Sequence, residues 1–270
     1  MSGRRMGALI GKELREFRAN PSAVVPVVLV ILVCLCLPFV VLLIIPRVTG
    51  ESIAADPVLQ RAIAFAARHV PGLADLPPAS AAEAFLFQQF LLLFLVAPIV
   101  GAVSLAAYSV VGEKQGRTLE ALLTTPLTTT EILLAKVLAA FLPSLVIEVS
   151  GLLVYILLMA AFASPGVLQT IFNVRTALLV CGIGPFASLA ALQATIAVSS
   201  RVNDPRSAQQ IAVLLVLPLV AMLVGQVAGA FVVTTTVLAL LTLALAGVWL
   251  LLLFLSVALF ERESILTRWK

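Results

Sequence analysis

Charge is scarce in this chain. Of 270 residues only 11% are Asp, Glu, Lys or Arg, whereas a soluble domain carries about 25%. That shortage argues against a water-soluble enzyme, and also against disorder, because disordered chains are rich in charge and poor in apolar residues. Cysteine is limited to Cys34, Cys36 and Cys181, all inside apolar runs, so neither a disulfide framework nor a thiolate metal site is expected. The single histidine, His69, has no second ligand near it and reads as a solvated surface residue. There is no His-Glu-x-x-His, no Gly-x-Ser-x-Gly and no acidic cluster for a metal. Gly7 to Glu13 (GALIGKE) has the look of a phosphate loop but is one residue short between its glycines, ends in Glu and follows no strand. The chain is therefore not expected to hydrolyse nucleotide alone or to hold a cofactor of its own.

Apolar sequence fills the space that charge leaves. Hydrophobic residues make up 62% and the mean hydropathy is +1.17. About 30 Å of hydrocarbon needs roughly 20 helical residues at 1.5 Å rise each. The runs are continuous rather than alternating, which selects helices over a barrel. Spans are expected near 22–46, 85–108, 132–161, 175–198, 209–228 and 234–260. Nothing charged lies between Arg206 and Glu261, an interval too long for one span, so two are placed there with a turn around Gly225–Thr236. Of the 17 Lys and Arg residues, 13 fall on the side of both termini. The other four are Arg47, Arg61, Arg68 and Arg175. This bias puts both termini, the 109–131 and 199–208 loops and the 261–270 tail in the cytoplasm, and the first apolar run is too long for a cleaved signal peptide.

Outside the spans, residues 1–20 form an amphipathic pattern. Met6, Leu9, Ile10, Leu14 and Phe17 recur at three- and four-residue spacing, while Lys12, Glu13, Arg15, Glu16 and Arg18 occupy the remainder. A helix of this kind suits the inner membrane surface. In the outer loop, 47–84, Asp56-Pro57 marks a helix start, with Leu59, Ile63, Ala66, Ala67 and Val70 on one face. Ser80 with Glu83 reads as a capping box for the second span, and Thr128 with Glu131 as one for the third. Between the second and third spans, Arg117 to Thr125 is expected as a short helix ending before Pro126, with Leu119, Leu122 and Leu123 on one face. That face either fills a groove on a partner or lies in the inner leaflet.

Within the third expected span sits Glu148, about 18 Å along the helix from Lys136. A carboxylate near the bilayer centre costs about 2.5–3.5 kcal/mol on insertion scales and must face protein or water. Two readings stay open. Glu148 lines a translocation path or a dimer seam, or it is protonated and ties two spans together. Gln193 and Gln226 are its candidate partners.

The stretch Glu113-Lys114-Gln115-Gly116-Arg117-Thr118-Leu119-Glu120-Ala121-Leu122-Leu123-Thr124-Thr125-Pro126, followed by Glu131 to Lys136 (EILLAK), resembles the loop of the permease subunits of ABC-2 type transporters. The Lys12-Glu13-Leu14-Arg15-Glu16 segment and the Arg201 to Gln210 loop are similar to the same family. The resemblance implies an all-α integral membrane protein of six transmembrane helices with an N-terminal interfacial helix, the architecture of type V exporters. It implies a dimer with a second permease copy in the inner cell membrane, surrounded by lipid, each half engaging a separate ABC ATP-binding subunit that binds ATP and Mg. Glu113, Lys114, Gly116, Arg117, Thr118, Leu119, Glu120, Leu122, Leu123 and Pro126 would then form the coupling element. No nucleic-acid partner is expected. The rival reading is a secondary transporter or channel driven by ion gradients, which would call for inverted repeats and several intramembrane ionisable groups. An intramembrane enzyme would need a reactive constellation inside the spans, and none is visible.

Overall fold

The computed structural model describes residues 2–19, 21–50, 53–68, 72–116, 128–199 and 233–259, together with position 70 and scattered positions between 210 and 230. Among them the chain is helical, with no strand. Helix α1 covers Ser2–Ala19. The first span is α2, Pro21–Phe39, continued by a π-helical turn Val40–Ile44 and by α3, Ile45–Thr49. Helix α4, Pro57–Ala66, follows. The second span joins α5, Pro78–Phe94, to α6, Val96–Gln115. The third is α7, Thr129–Phe162. The fourth consists of α8, Val174–Ala177, a π-helical turn Leu178–Ile183 and α9, Gly184–Ser199. The last is α10, Thr235–Leu259. Five described helices are thus long and apolar enough to cross a membrane. The expected span 209–228 falls largely outside the described residues, as do the tail 261–270 and His69.

The second span is the hub, with 83% of its apolar window buried inside the chain against 6% for the last span. One core lies at the end remote from α1. There Phe85, Phe87, Leu91 and Phe94 of α5 pack on Tyr155 and Met159 of α7 and on Cys34 of α2. The Tyr155 ring meets Phe94 edge-on at 5.0 Å, and its hydroxyl donates to the Phe87 carbonyl at 2.8 Å. Such a ring pair adds about 0.5–1.5 kcal/mol beyond burial. A second core lies at the other end, where Phe17 of α1 sits among Ala102, Leu105 and Ala106 of α6, Leu133 and Val137 of α7, and Leu192 and Ile196 of α9. The apolar face of α1 therefore packs on the bundle itself. The alternating direction of the spans brings the ends of α6 and α9 and the start of α7 to that same side.

Several local expectations resolve differently. Asp56 caps α4 through Val58 N–H at 2.7 Å and Leu59 N–H at 3.1 Å. The buried side of α4 is Leu59, Ala62 and Ala66, with Ile63 and Ala67 of the expected face only partly buried, and it joins the core at that end. Thr128 and Glu131 form a reciprocal capping box. Ser80 and Glu83 do not, because α5 starts earlier, with Pro77 at the cap and Pro78 at its first position. Proline fits that position, since its missing N–H would have no partner there. Glu83 is released to accept from Ser164 N–H beyond the end of α7.

Candidate functional site

On α1 the spacing of Leu9, Glu13 and Phe17 is four residues each, which places all three on one stripe. All are buried, and Glu13 is fully so. Grouping Glu13 with the solvated side of this helix was a misreading. An acid inside a packed stripe needs a counter-ion, and α7 supplies it. The Lys136 ammonium donates to Glu13 Oε1 at 2.9 Å and to Ser109 Oγ of α6 at 2.8 Å. Burial raises the Glu13 carboxyl pKa. The Lys136 charge, hydrogen bonds from Ser109 and Lys136, and the Lys12 charge outweigh that and hold it below its ordinary value. Lys136, counted from the sequence among the flanking charges, is only 3% exposed. On the exposed side of α1, Lys12 and Glu16 form an ion pair at 3.4 Å, while Leu14 packs at the edge of the core.

Ser109 and Lys136 are the two roots of the 109–131 loop. Helix α6 carries Glu113 and Lys114 on its last turn, and Gly116 follows in an exposed turn. Arg117, Thr118, Leu119, Glu120, Leu122, Leu123 and Pro126 lie outside the described residues. What the structure describes of the loop is thus its base, in which α1, α6 and α7 are joined by one buried polar centre.

A second polar centre lies halfway along the spans, where the second and fourth spans are interrupted and the third carries a proline. Pro98 has no N–H and its ring collides with the carbonyl four residues back. The second span accordingly breaks at Leu95, whose N–H turns back to Leu92 O at 3.2 Å. Pro185 follows the π-helical turn of the fourth span, which closes through Gly184 N–H to Leu179 O. Pro143 lies inside α7, one turn before Glu148. Glu148 is 3% exposed and faces Gly184 at this level. A β-carbon at 184 would lie 2.7 Å from Glu148 Oε1 and 3.2 Å from Leu95 Cδ2, so any larger residue there must push the carboxyl end aside. Glu148 Oε2 has no hydrogen-bond partner among the described residues.

Neither glutamine expected beside Glu148 is there. Gln226 Oε1 accepts from Arg175 Nη2, at the far end of the fourth span, nine residues or about 13 Å from Gly184. Gln193 is fully buried nine residues the other way, and both its amide atoms lack partners among the described residues. Gln89 of α5, overlooked in the sequence, is likewise buried and unpartnered. Arg175, read as a flank charge, is buried. Asn173, two residues ahead of it, caps α8 through Thr176 N–H at 2.9 Å. No group of His, Cys, Asp and Glu able to hold a metal occurs among the described residues.

A comparison with curated proteins returns no match. The family model for ABC-2 family transporter protein matches residues 8–237, from α1 into α10. This all-α, multi-pass membrane chain belongs to the ABC-2 transporter family, as a transmembrane component rather than the ATPase.

Proposed function

We propose that the chain is the permease half of an ATP-driven exporter. It works as a dimer of six-span subunits in the inner membrane with both termini in the cytoplasm, and a separate ATP-binding subunit docks on the 109–131 loop. The observation that carries this reading is the Glu13–Lys136–Ser109 centre. A lever transmits force only if its base is stiff, and here both roots of the loop and α1 share one buried ion pair. Leu119, Leu122 and Leu123 fill the groove on the ATPase, and Glu113, Lys114, Arg117 and Glu120 set its register by charge. Closure of the ATPase dimer on ATP then displaces the base and with it α6 and α7. The test is Leu119→Asp with Leu122→Asp. Loss of co-purification with the ATPase and of transport-coupled hydrolysis is expected, and unchanged values refute the docking role.

One observation favours the rival reading, a carrier driven by an ion gradient. Glu148 sits at the level of broken helices, as ion-coupled sites do. Reconstituted chain without any ATPase distinguishes the two, since gradient-driven transport by it alone overturns the exporter assignment.

A further inference from the structure

At the end of the bundle remote from α1 the packing leaves a cavity of about 300 Å³ between the first three spans. This is the low end of the range for small-ligand sites. Leu42 and Leu43 of the π-helical turn and Pro46 of α3 form one wall, Ala79 and Ala82 of α5 a second, and Phe162 at the end of α7 a third. Both leucines belong to the π-helical turn Val40–Ile44. The polar group in this apolar lining is Glu83, with Ser164 beside it.

Glu83 is the unusual element. Its two carboxylate oxygens accept from Ser164 N–H at 3.1 and 3.3 Å, a contact with a neutral dipole that leaves the charge uncompensated. Among the described residues no Lys or Arg pairs with it. A lone carboxylate beside low-dielectric walls attracts a cation far more strongly than one in open water. Its depth matters too. Glu83 lies five residues, about 7.5 Å, inside the start of α5, level with the last turn of α7 and with α3. A depth of one to two turns inside a span's start is expected to lie where headgroups meet hydrocarbon. A ligand matching this site has a positive head at the interface and an apolar body pointing along the spans.

We propose that this cavity binds the ammonium head of a cationic amphiphile, with Glu83 as counter-charge and Leu42, Leu43, Pro46 and Phe162 enclosing its first methylenes. The occupant is an alkylammonium solute or the amine head of a membrane lipid, which share this chemistry. On the exporter reading, which places this end outside, the cavity is an exit-side site for such a cargo, although binding itself needs neither ATP nor the coupling loop.

The test is equilibrium binding of radiolabelled dodecyltrimethylammonium to the full chain in phosphatidylglycerol nanodiscs, with empty discs subtracted. Saturable binding is expected. Glu83→Gln, which keeps an acceptor for Ser164 N–H, weakens it at least tenfold. Ala79→Trp, at an exposed wall position, abolishes it by filling the space. Dodecanol, with the same chain and no charge, does not compete. In phosphatidylethanolamine discs weaker probe binding identifies the lipid amine as occupant, and unchanged binding identifies the free amphiphile. Absent saturation, equal binding by Glu83→Gln, or competition by dodecanol overturns the proposal. None of these outcomes bears on the Leu119 and Leu122 experiment, so the two readings fail separately.

Discussion

Removing one partner of the Glu13–Lys136 pair gives the sharpest test of the base of the 109–131 loop. Glu13 is fully buried and Lys136 is 3% exposed, so solvent screens their interaction little. Breaking a buried pair from one side costs about 3–5 kcal/mol, because the survivor is left charged and dry, whereas replacing both partners by apolar groups is about neutral. Lys136 keeps its contact to Ser109 Oγ at 2.8 Å, which puts Glu13→Leu near the lower end, about 3 kcal/mol. Lys136→Met removes the counter-charge and leaves Glu13 its Ser109 hydrogen bond alone, with no partner for Oε2 among the described residues, which puts it toward the upper end, about 4–5 kcal/mol. At roughly 2–4 °C per kcal/mol for a chain of this size, Glu13→Leu lowers the unfolding midpoint by about 6–12 °C. The assay is thermal unfolding in detergent followed by size exclusion. The double variant Glu13→Leu/Lys136→Met recovers most of the loss, so the coupling far exceeds the roughly 0.5 kcal/mol within which independent sites add. If the two single effects simply add, the pair is not a unit and the stiff-base argument fails.

The same pair predicts a pH dependence. The folded-state pKa of Glu13 lies below its ordinary value of 4.5, so its contribution is present above about that pH and is lost as pH falls through the folded value. Wild type therefore loses stability on acidification below about 4.5 while Glu13→Leu/Lys136→Met does so less, and equal acid slopes refute this. Gly184→Ala would set a methyl 2.7 Å from Glu148 Oε1, and the flexible carboxyl end turns away at about 1 kcal/mol, the low end for overpacking. Adding Glu148→Ala removes that cost, and an equal effect of Gly184→Ala in both backgrounds speaks against the close approach. Asp56→Ala removes the α4 cap and about 0.5–2 kcal/mol of local stability, read as faster proteolysis within residues 57–66.

The apolar helices were legible because membrane spanning imposes one length and one composition. Local capping was legible where a polar side chain had no competitor, as at Thr128–Glu131 and Asp56. It was misread at Ser80–Glu83, where two prolines ahead of the pattern started the helix earlier and freed the acid for a contact 81 residues away. The buried charges were hidden for a related reason. Lys136 and Arg175 lie at span ends, where flanking charges normally reach water, and only tertiary packing turns them inward. For Glu13 the four-residue step from Leu9 to Phe17 was a visible signal, outweighed by counting an acid as polar surface. The interruption at Leu95 was foreshadowed by Pro98, but that it shares one level with the end of the π-helical turn at Gly184 follows from span registers that no single segment contains.

Those registers give α7 a particular role. It carries Lys136 in the base of the 109–131 loop and Glu148 at the interrupted level, twelve residues or about 18 Å apart. Between them lies Pro143, which cannot donate to the Ala139 carbonyl. The Ser144 hydroxyl bonds the neighbouring Ala140 carbonyl at 2.8 Å, an arrangement that favours a bend over an unbroken rod. Gly101 of α6 lies against this point, since a β-carbon there would meet Ser144 Oγ at 3.0 Å. On the exporter reading proposed above, movement of the base would reach Glu148 through this joint, which lies against the second span. Replacing Pro143 by Ala supplies the missing N–H and stiffens the joint. Transport then falls while ATPase binding to the loop stays intact, whereas a variant that loses both to the same degree, or neither, denies α7 this transmitting role.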